Sequence, residues 1–465
     1  MMIKNPTFDG CMPARKYPRN VTNHRKSGQP ETTNLMGLDI VYYLSIFHTR
    51  KMNSDQWLTS DSALQAIDEV CAHAAGPQLT AKSIMRLRRT YSFEQTQFIA
   101  QQVKLRTQAA TRFALANKML FTDRSLQQAT DSGIAQFKAA LIQKIAPEAR
   151  HVTDLCCGLG GDLQALATSF NVTGVDLDPE ICAIAKYNAS LCIPQEKEVA
   201  VETITADACQ LVLDTDWVHI DPDRRSDGQR HTEIASLAPG LDFLNRLTSQ
   251  VGTSLHGLSM KFAPASSIPE HWLPQCQLIW IQSRNECRQQ LALFAKNRIA
   301  VNTRTAVAVD GRGIPKWEFS IPNDQMVEPG DVAFNGTAGQ FLYEPMPGIL
   351  AAQMAPSWGA VHNLKYIHSS VAYFTSDKAM DLPGGTCYEV LQDLPFNLKQ
   401  IRQYIKQHDI GRLEIKKRGI NDTPEKIRKL LKPKGEHEAT LIIAGNPRTK
   451  NQTRVYVAQR VKKSV

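Results

Sequence analysis

The sequence predicts an α/β fold in which helices precede a mostly parallel sheet and a small α+β module follows it. Two observations lead to this prediction. From residue 151 onward, short apolar runs typical of strands alternate with helical stretches, which is the pattern of βαβ units with right-handed crossovers. A glycine-rich turn follows the first run, and acidic residues mark the ends of successive runs, as expected where an open α/β sheet binds a ligand.

Length and composition restrict the class of protein. The chain has 465 residues, enough for two or three domains. Hydrophobic residues make up 42% and charged residues 21%, which is ordinary for a globular protein. We find no apolar run of the ~18–20 residues that a membrane span needs and no secretory signal at the start. The ten cysteines form no CxxC pair, so we expect reduced thiols, no metal site and a cytoplasmic location.

The part of the chain before the sheet is predicted to be a flexible segment followed by helices. Residues 1–52 mix Pro, Asn, Lys and Arg without periodicity, and we interpret them as a flexible extension in which Met36 and Met52 are alternative starts. Residues 53–148 show helical spacing of apolar side chains. Three helix starts are marked by capping residues, Ser60–Asp61, Ser92 and Thr130–Asp131.

Residues 149–323 contain the apolar runs that we predict as strands of the sheet. Helices are predicted between the first of them at Asp162–Thr168 and Pro179–Leu191. The predicted strands are Val152–Leu155, Val172–Val175, Val201–Thr205, Trp217–Ile220, Leu255–Met260, Leu278–Ile281 and Thr305–Val309, with Trp317–Ile321 as a possible extra strand.

The last third of the chain is predicted to be a connector and a basic module. Residues 324–395 are rich in Gly and Pro and are interpreted as a connector or small subdomain. Residues 396–465 carry 18 Lys and Arg against 6 Asp and Glu, a net charge of +12, whereas the first 52 residues carry +5 and the remainder −8. A basic module beside an acidic body is typical of proteins that hold a polyanion. An α-β-α-β-β order is predicted, from helix Asn397–His408, strand Arg412–Lys416, helix Thr423–Leu431 and strands Thr440–Ile443 and Arg454–Val461.

The strongest functional signal is the segment from Asp154 to Asp162, which reads DLCCGLGGD and joins a strand to a helix. Its glycines allow a tight turn and a close approach of the backbone to a ligand. Asp176 ends the next strand, 18 residues after Gly158, where a doubly wound sheet binds ribose hydroxyls. Further carboxylates follow the third and fourth strands, at Asp207 and Asp221. A nicotinamide site is disfavoured, because position six of its G-x-G-x-x-G motif is Leu163 here.

This arrangement resembles the class I S-adenosylmethionine-dependent methyltransferases, on Asp154-x-Cys156-x-Gly158-x-Gly160 followed by Asp176-x-Asp178-Pro179. The resemblance implies a Rossmann-like seven-stranded sheet with S-adenosylmethionine as cofactor. The cofactor contacts that it implies are Asp154, Cys156, Gly158 and Gly160 at the methionine part, Asp176 at the ribose, Asp207 near the adenine and Asp221 beside the transferred methyl group. Asp221 is the residue that we expect to be catalytic, as orienter or hydrogen-bond acceptor.

Two further segments are similar to bacterial methyltransferases that carry a C-terminal THUMP-like domain: 126–131, LQQATD, and 413–419, LEIKKRG. THUMP domains bind RNA in enzymes that modify tRNA, so the resemblance implies an RNA substrate, tRNA or rRNA. The residues expected to meet phosphate are Arg224 and Arg225 after the fourth strand and Lys416, Lys417 and Arg418 in the tail.

The segment Asp221-Pro222-Asp223-Arg224 departs from the pattern of enzymes that methylate base amino groups. In those enzymes the acidic or polar residue is followed in the sequence by Pro-Pro and an aromatic residue, whose ring stacks on the flipped base. Here both the second proline and the aromatic residue are absent. Carbon-5 methylation needs a cysteine nucleophile, for which Cys287 is a candidate, although a structural thiol is the commoner case. Two alternatives stay open: a non-catalytic RNA-binding adaptor, and a methyltransferase for proteins or small molecules.

Overall fold

The computed structural model describes residues 55–462 apart from residues 75, 77, 195, 224, 227–228, 231–236, 369–370 and 446–452. For residues 55, 56, 225, 226, 229 and 230 it describes the backbone only. The predicted flexible extension, 1–52, therefore lies outside the described residues, together with Met36, Met52 and Arg224.

The first part of the described chain is helical, as predicted. Each predicted helix start is confirmed by a side-chain cap: Ser60 Oγ accepts from the amide of Ala63, Ser92 forms a capping box with Gln95, and Asp131 accepts from the amide of Gly133. None of the described helices is long and apolar enough to span a membrane. Helices α1 to α6 are Asp55–Leu58, Asp61–His73, Ala81–Leu87, Phe93–Ala109, Asp123–Gln128 and Ser132–Ile145.

A nine-stranded sheet follows the helices. Three helices, α7 (Gly161–Leu166), α8 (Pro179–Ser190) and α9 (Leu241–Gln250), lie between its strands in the chain. Two further strands of two residues each, β5 and β6, form a separate two-stranded sheet within the described part of the chain. Strands β1 to β11 are His151–Leu155, Asn171–Asp176, Val201–Thr205, Trp217–Ile220, Arg225–Ser226, Gln229–Arg230, Gly257–Phe262, Gln277–Ser283, Glu286–Phe294, Thr303–Val309 and Pro315–Pro322.

The strand order of the large sheet is β11-β10-β8-β9-β7-β4-β1-β2-β3. Strands β1 to β4 and β7 run parallel to one another, as predicted, whereas β9 runs antiparallel to both of its neighbours, β7 and β8. The sequence prediction was wrong to omit β9, because the first half of this strand, ECRQQ, is polar and only its second half, LALF, reads as apolar. The possible extra strand is confirmed as β11 at the edge.

The register of the central strands brings the predicted acidic residues to one edge. Leu155 of β1 pairs with Val175 of β2 and with Ile220 of β4. Asp176 and Asp221, which follow those two partners, therefore lie at the same level on either side of the glycine turn.

The C-terminal part forms a second, seven-stranded sheet, in the order β13-β14-β12-β15-β18-β17-β16. It runs across the predicted boundary at residues 395 and 396, because β15 of the connector pairs with β18 of the basic module. The α-β-α-β-β order predicted for the module is confirmed. Strands β12 to β18 are Phe341–Pro345, Lys365–Tyr366, Phe374–Ser376, Gly385–Pro395, Ile410–Arg418, His437–Ala444 and Arg454–Arg460, and helices α10 to α13 are Pro347–Ala351, Ala355–Val361, Leu398–Gln407 and Pro424–Leu431.

Candidate active site

One cavity of about 1410 Å³ opens at the carboxyl edge of the large sheet. All four strand-end carboxylates line it: Asp154, Asp176, Asp207 and Asp221. Cys156 and Gly158 of the glycine turn line it as well, whereas Gly160 does not. Typical small-molecule sites measure about 300–1,000 Å³, so this cavity has room for a cofactor and part of a second molecule.

The glycine turn is built from left-handed backbone conformations. The φ angles of Cys156, Gly158 and Gly160 are 59°, 53° and 81°. Residues other than glycine rarely adopt this left-handed backbone conformation. A Cβ atom on Gly160 would lie 3.0 Å from the carbonyl oxygen of Ala185, so this glycine is required by close packing on α8. A Cβ atom on Gly158 would meet no atom within 4 Å. Gly158 therefore keeps the backbone open toward the cavity.

Asp176 and Asp207 combine a structural contact with a position on the cavity wall. Asp176 accepts hydrogen bonds from the amides of Gly158, at 3.1 Å, and Asp178, at 3.3 Å, and so ties β2 to the glycine turn. Asp207 caps a short 3-10 helix by accepting from the amide of Cys209 at 2.9 Å. Each carboxylate has lone pairs left for hydroxyl or amino donors of a ligand.

Asp154 is the most deeply buried of the four carboxyl groups, with 1% of the residue exposed. Burial raises its pKa well above the ordinary value, and the neighbouring charge of Asp162 raises it further. Its Oδ2 atom has no hydrogen-bond partner among the described residues. A buried polar atom without a partner on the wall of a cavity is suited to receive a donor from a bound ligand.

Asp221 forms an ion pair with Lys261, near the end of β7. The lysine side chain is 9% exposed and that of Asp221 is 27% exposed, so the carboxylate is the partner that reaches the cavity. Lys261 also donates to the hydroxyl of Thr130 at 3.1 Å. The ammonium group is thereby held between the strand-end carboxylate and the segment that precedes α6.

A second buried ion pair lies behind the first. Lys138 Nζ on α6 is 2.6 Å from Asp162 Oδ1, and Thr130 Oγ1 donates to Asp162 Oδ2 at 2.7 Å. His219 of β4 lies 3.2 Å from Lys138 and 3.4 Å from Asp162. Because burial and the charge of Lys138 lower its pKa, His219 is neutral at pH 7.

Sequence reasoning did not identify the two lysines as site residues. Lys138 and Lys261 each lie within an apolar element, and no local spacing links them to a partner. The available signal was indirect: a lysine in an apolar run is rarely buried without a charge partner. The segment 126–131 was noted for its resemblance to methyltransferases and not as part of a site, and the structure places residues 127–131 in the lining of the cavity.

The described lining of the cavity contains no aromatic residue. It is rich in carboxylates, which outnumber the cations of Lys261 and four arginines at the rim. Each of those arginines contacts a backbone oxygen or a carboxylate of the protein: Arg112, Arg124, Arg284 and Arg288. An acidic lining suits a ligand with positive charge.

The cysteines near the site are neutral thiols at pH 7. Burial raises the pKa of Cys156 and of Cys157 far above the ordinary value. Cys287 lines the cavity, but burial raises its pKa to about 12. A thiol in that state is a poor nucleophile, which disfavours Cys287 as the nucleophile of carbon-5 methylation. Among the described residues, no three side chains of His, Cys, Asp or Glu gather as metal ligands.

The residues predicted to bind phosphate lie in two places, after β4 and in β16. Arg224 lies outside the described residues, and only the backbone of Arg225 is described, in β5. In β16, Lys416 lies 2.8 Å from Glu344, Arg418 pairs with the same carboxylate at 3.4 Å, and Lys417 donates to the carbonyl oxygen of Ile420 at 2.9 Å. All three tail cations are thus engaged within the protein.

Comparison with known proteins agrees with this fold. Residues 385–460 match the family model described as THUMP domain-like. Two curated proteins of Mycobacterium tuberculosis, from strains CDC 1551/Oshkosh and ATCC 25618/H37Rv, are each 28% identical over 335 residues, which is 70% of this chain and 85% of theirs. Both are named as uncharacterized S-adenosylmethionine-dependent methyltransferases.

A solved structure extends the likeness to the fold of nearly the whole chain. A crystal structure from Porphyromonas gingivalis W83, described as a methyltransferase, superposes with a TM-score of 0.69 at 17% identity, covering 87% of this chain and 99% of that one. Together with the glycine turn and the strand-end carboxylates, these likenesses confirm the predicted resemblance. The chain is therefore similar to S-adenosylmethionine-dependent methyltransferases in sequence and shares the fold of a solved methyltransferase structure, and its residues 385–460 match a THUMP-like domain.

Proposed function

We propose that the protein transfers a methyl group from S-adenosylmethionine to RNA, with tRNA or rRNA as the substrate. The observation that carries the proposal is that one cavity is lined by the glycine turn and by all four strand-end carboxylates. The cavity is also larger than a cofactor alone needs.

The residues present fit the cofactor at each of its parts. The unpartnered Oδ2 atom of Asp154 and the open backbone of Gly158 would receive the amino acid end. Asp176 would accept from the ribose hydroxyls while its contacts to Gly158 and Asp178 hold it in place. Asp207 would lie near the base, and the acidic lining as a whole would favour the positive sulfonium.

When bound, the cofactor supplies a methyl group that is activated for direct displacement by a nucleophile. Such a transfer depends mainly on alignment, since donor and acceptor must approach in line at near van der Waals distance. Asp221 is positioned to align the acceptor with the methyl group, because it follows β4 directly and its carboxylate is fixed by Lys261 at the cavity wall.

The basic tail supports RNA as the substrate. Helix α12 presents Lys399, Arg402 and Lys406 at spacings of three and four residues, which places them on one exposed face without an acidic residue in the helix. The match of 385–460 to a THUMP-like model favours the same role. The nine cysteines of the described chain are free thiols, which is consistent with a reducing, cytoplasmic location as part of this proposal.

The experiment is calorimetric titration with S-adenosylmethionine, followed by transfer of labelled methyl groups to total bacterial RNA. The native protein is expected to bind the cofactor, and Asp176→Ala to lose binding because both the ribose acceptor and the support of the glycine turn disappear. Asp214→Ala is the matched control, since this exposed carboxylate does not line the cavity. Cofactor binding without transfer to RNA would favour the adaptor or a different acceptor.

A further inference from the structure

We propose that the methyl acceptor is a hydroxyl group, the ribose 2′-hydroxyl of RNA, and that Lys261 is the residue that positions Asp221 to receive its proton. This inference rests on the proposed function and specifies the atom that is methylated.

The described lining of the cavity offers no aromatic ring on which a flipped base could stack. None of the described residues that line it is Phe, Tyr or Trp. Enzymes that act on a base hold it between aromatic or apolar side chains, and of these two kinds the described lining offers only apolar ones, such as Leu177 and Ile181. A ribose needs no such platform, because it is recognised by hydrogen bonds.

The chemistry of the ion pair also favours a hydroxyl. An amine or ring nitrogen attacks with its own lone pair, whereas a hydroxyl oxygen is a weak nucleophile until its proton is accepted by a base. Asp221 offers that acceptor: Oδ2 is bound by Lys261, and Oδ1 has no hydrogen-bond partner among the described residues. An ammonium group beside the carboxylate would in addition stabilise negative charge developing on the oxygen.

The ammonium group of Lys261 is fixed by buried contacts, so it can hold the Asp221 carboxylate in one orientation. Its ammonium group is bound by both Asp221 and Thr130, and 8% of the residue is exposed. Thr130 is in turn fixed by its hydrogen bond to Asp162. The orientation of the Asp221 carboxylate is therefore set by a chain of buried contacts and not by solvent.

The proposed step balances as follows. The 2′-oxygen forms a bond to the methyl carbon while the bond from that carbon to sulfur breaks and leaves its electron pair on sulfur. The hydroxyl proton passes to the Asp221 carboxylate and then to water. The products are the 2′-O-methyl ribose and the neutral thioether of the cofactor.

The first test locates the methyl group. Full-length protein is incubated with total bacterial RNA and methyl-labelled S-adenosylmethionine, and the RNA is then hydrolysed with alkali. A 2′-O-methyl group blocks cleavage of the adjacent phosphodiester, so the label is expected in alkali-resistant dinucleotides and, after nuclease digestion, on ribose. Label on a base would overturn this inference and leave the proposed function standing. No label in RNA would overturn both.

The second test addresses Lys261. Lys261→Met is expected to lower kcat about 100-fold, as for loss of one acid–base contribution, while the Kd for S-adenosylmethionine and the KM for RNA stay within about threefold. Lys261→Arg, which keeps the charge, is expected to recover part of kcat. The assignment would be overturned if both variants lost cofactor binding and stability together while the protein that remains folded kept its native kcat. That result would show that Lys261 has a structural role only.

Discussion

Lys138 Nζ lies 2.6 Å from Asp162 Oδ1, and at most 8% of either side chain is exposed, although Asp162 belongs to the lining of the active-site cavity. Burial on its own would raise the pKa of Asp162, but Lys138 and His219 together hold that pKa well below the ordinary value. Thr130 donates to the same carboxylate and also accepts from Lys261. The pair therefore supports the groups that line the site and is itself shielded from solvent.

We predict that Lys138→Met destabilises the protein by about 3–5 kcal/mol, because the Asp162 carboxylate would stay buried without its ammonium partner. Urea unfolding followed by far-UV circular dichroism measures the change as a lower midpoint. Lys186→Met, at an exposed position on α8, is the control and should stay within about 0.5 kcal/mol of the native protein. Equal midpoints for the two variants would contradict the prediction.

The helices, the parallel strands and the acidic edge of the sheet were predictable because their signals are local. Capping residues precede α2, α4 and α6, and each acidic site residue lies at or just beyond the end of an apolar run. The antiparallel strand β9 was missed because its pairing with β7 and β8 is non-local and its first half is polar. Lys138 and Lys261 were missed for a related reason, since their partners are 24 and 40 residues away in the chain.

The two glycines of the turn are predicted to respond differently to substitution. Gly160→Ala should lower stability by more than the roughly 1–2 kcal/mol of a left-handed residue, because its Cβ would lie 3.0 Å from the carbonyl oxygen of Ala185. Gly158→Ala has the same backbone cost but places its methyl group in the cavity. We expect it to weaken cofactor binding at least about tenfold, the equivalent of about 1.4 kcal/mol.

Thermal unfolding and calorimetric titration separate these two effects. Gly311→Ala is the control, because its φ is not left-handed and a Cβ there would meet no atom within 4 Å. If Gly158→Ala and Gly160→Ala lost the same cofactor affinity and had the same stability, the separate roles of Gly160 in packing and Gly158 in cofactor binding would be contradicted.

Asp154 is predicted to release a proton when the cofactor binds. Burial raises its pKa well above the usual value, which favours the protonated form of the carboxyl group in the free protein. This pKa exceeds the value of about 3.9 for an aspartate in the unfolded chain. The contribution of the Asp154 carboxyl group to the free energy of unfolding is therefore complete below about pH 3.9 and is lost as the pH rises through the pKa of Asp154 in the folded protein. A cationic ligand beside the carboxyl group lowers its pKa and ionises it.

Calorimetry at pH 7 in buffers of different ionisation enthalpy measures this release directly. We expect up to one proton per cofactor for the native protein and for Asp214→Asn, whose exposed side chain lies outside the cavity. Asp154→Asn should bind more weakly with almost no release. An unchanged release in Asp154→Asn would assign the proton to another group.

The exposed face of the basic module is predicted to carry much of the salt-dependent affinity for RNA. Lys399 and Lys406 of α12 and Lys429 of α13 are exposed, and within the described residues none of them pairs with a carboxylate. By contrast, the side chains of Lys416 and Arg418 are only 26% and 20% exposed and share Glu344. A cation without an ion pair inside the protein does not have to break one to bind phosphate, so these three lysines are the better candidates for contact with the RNA backbone.

The triple variant K399Q/K406Q/K429Q should therefore bind labelled bulk tRNA more weakly, and the slope of log K against log salt should become less steep by about 2. R312Q/K316Q/K365Q is the matched control: it removes the same charge from exposed positions outside the basic module. Because both triple variants have the same net charge, a non-specific attraction between the protein and RNA would weaken equally in the two. A loss confined to the first variant would instead assign the phosphate contacts to the face formed by α12 and α13, and identical slopes would remove that assignment.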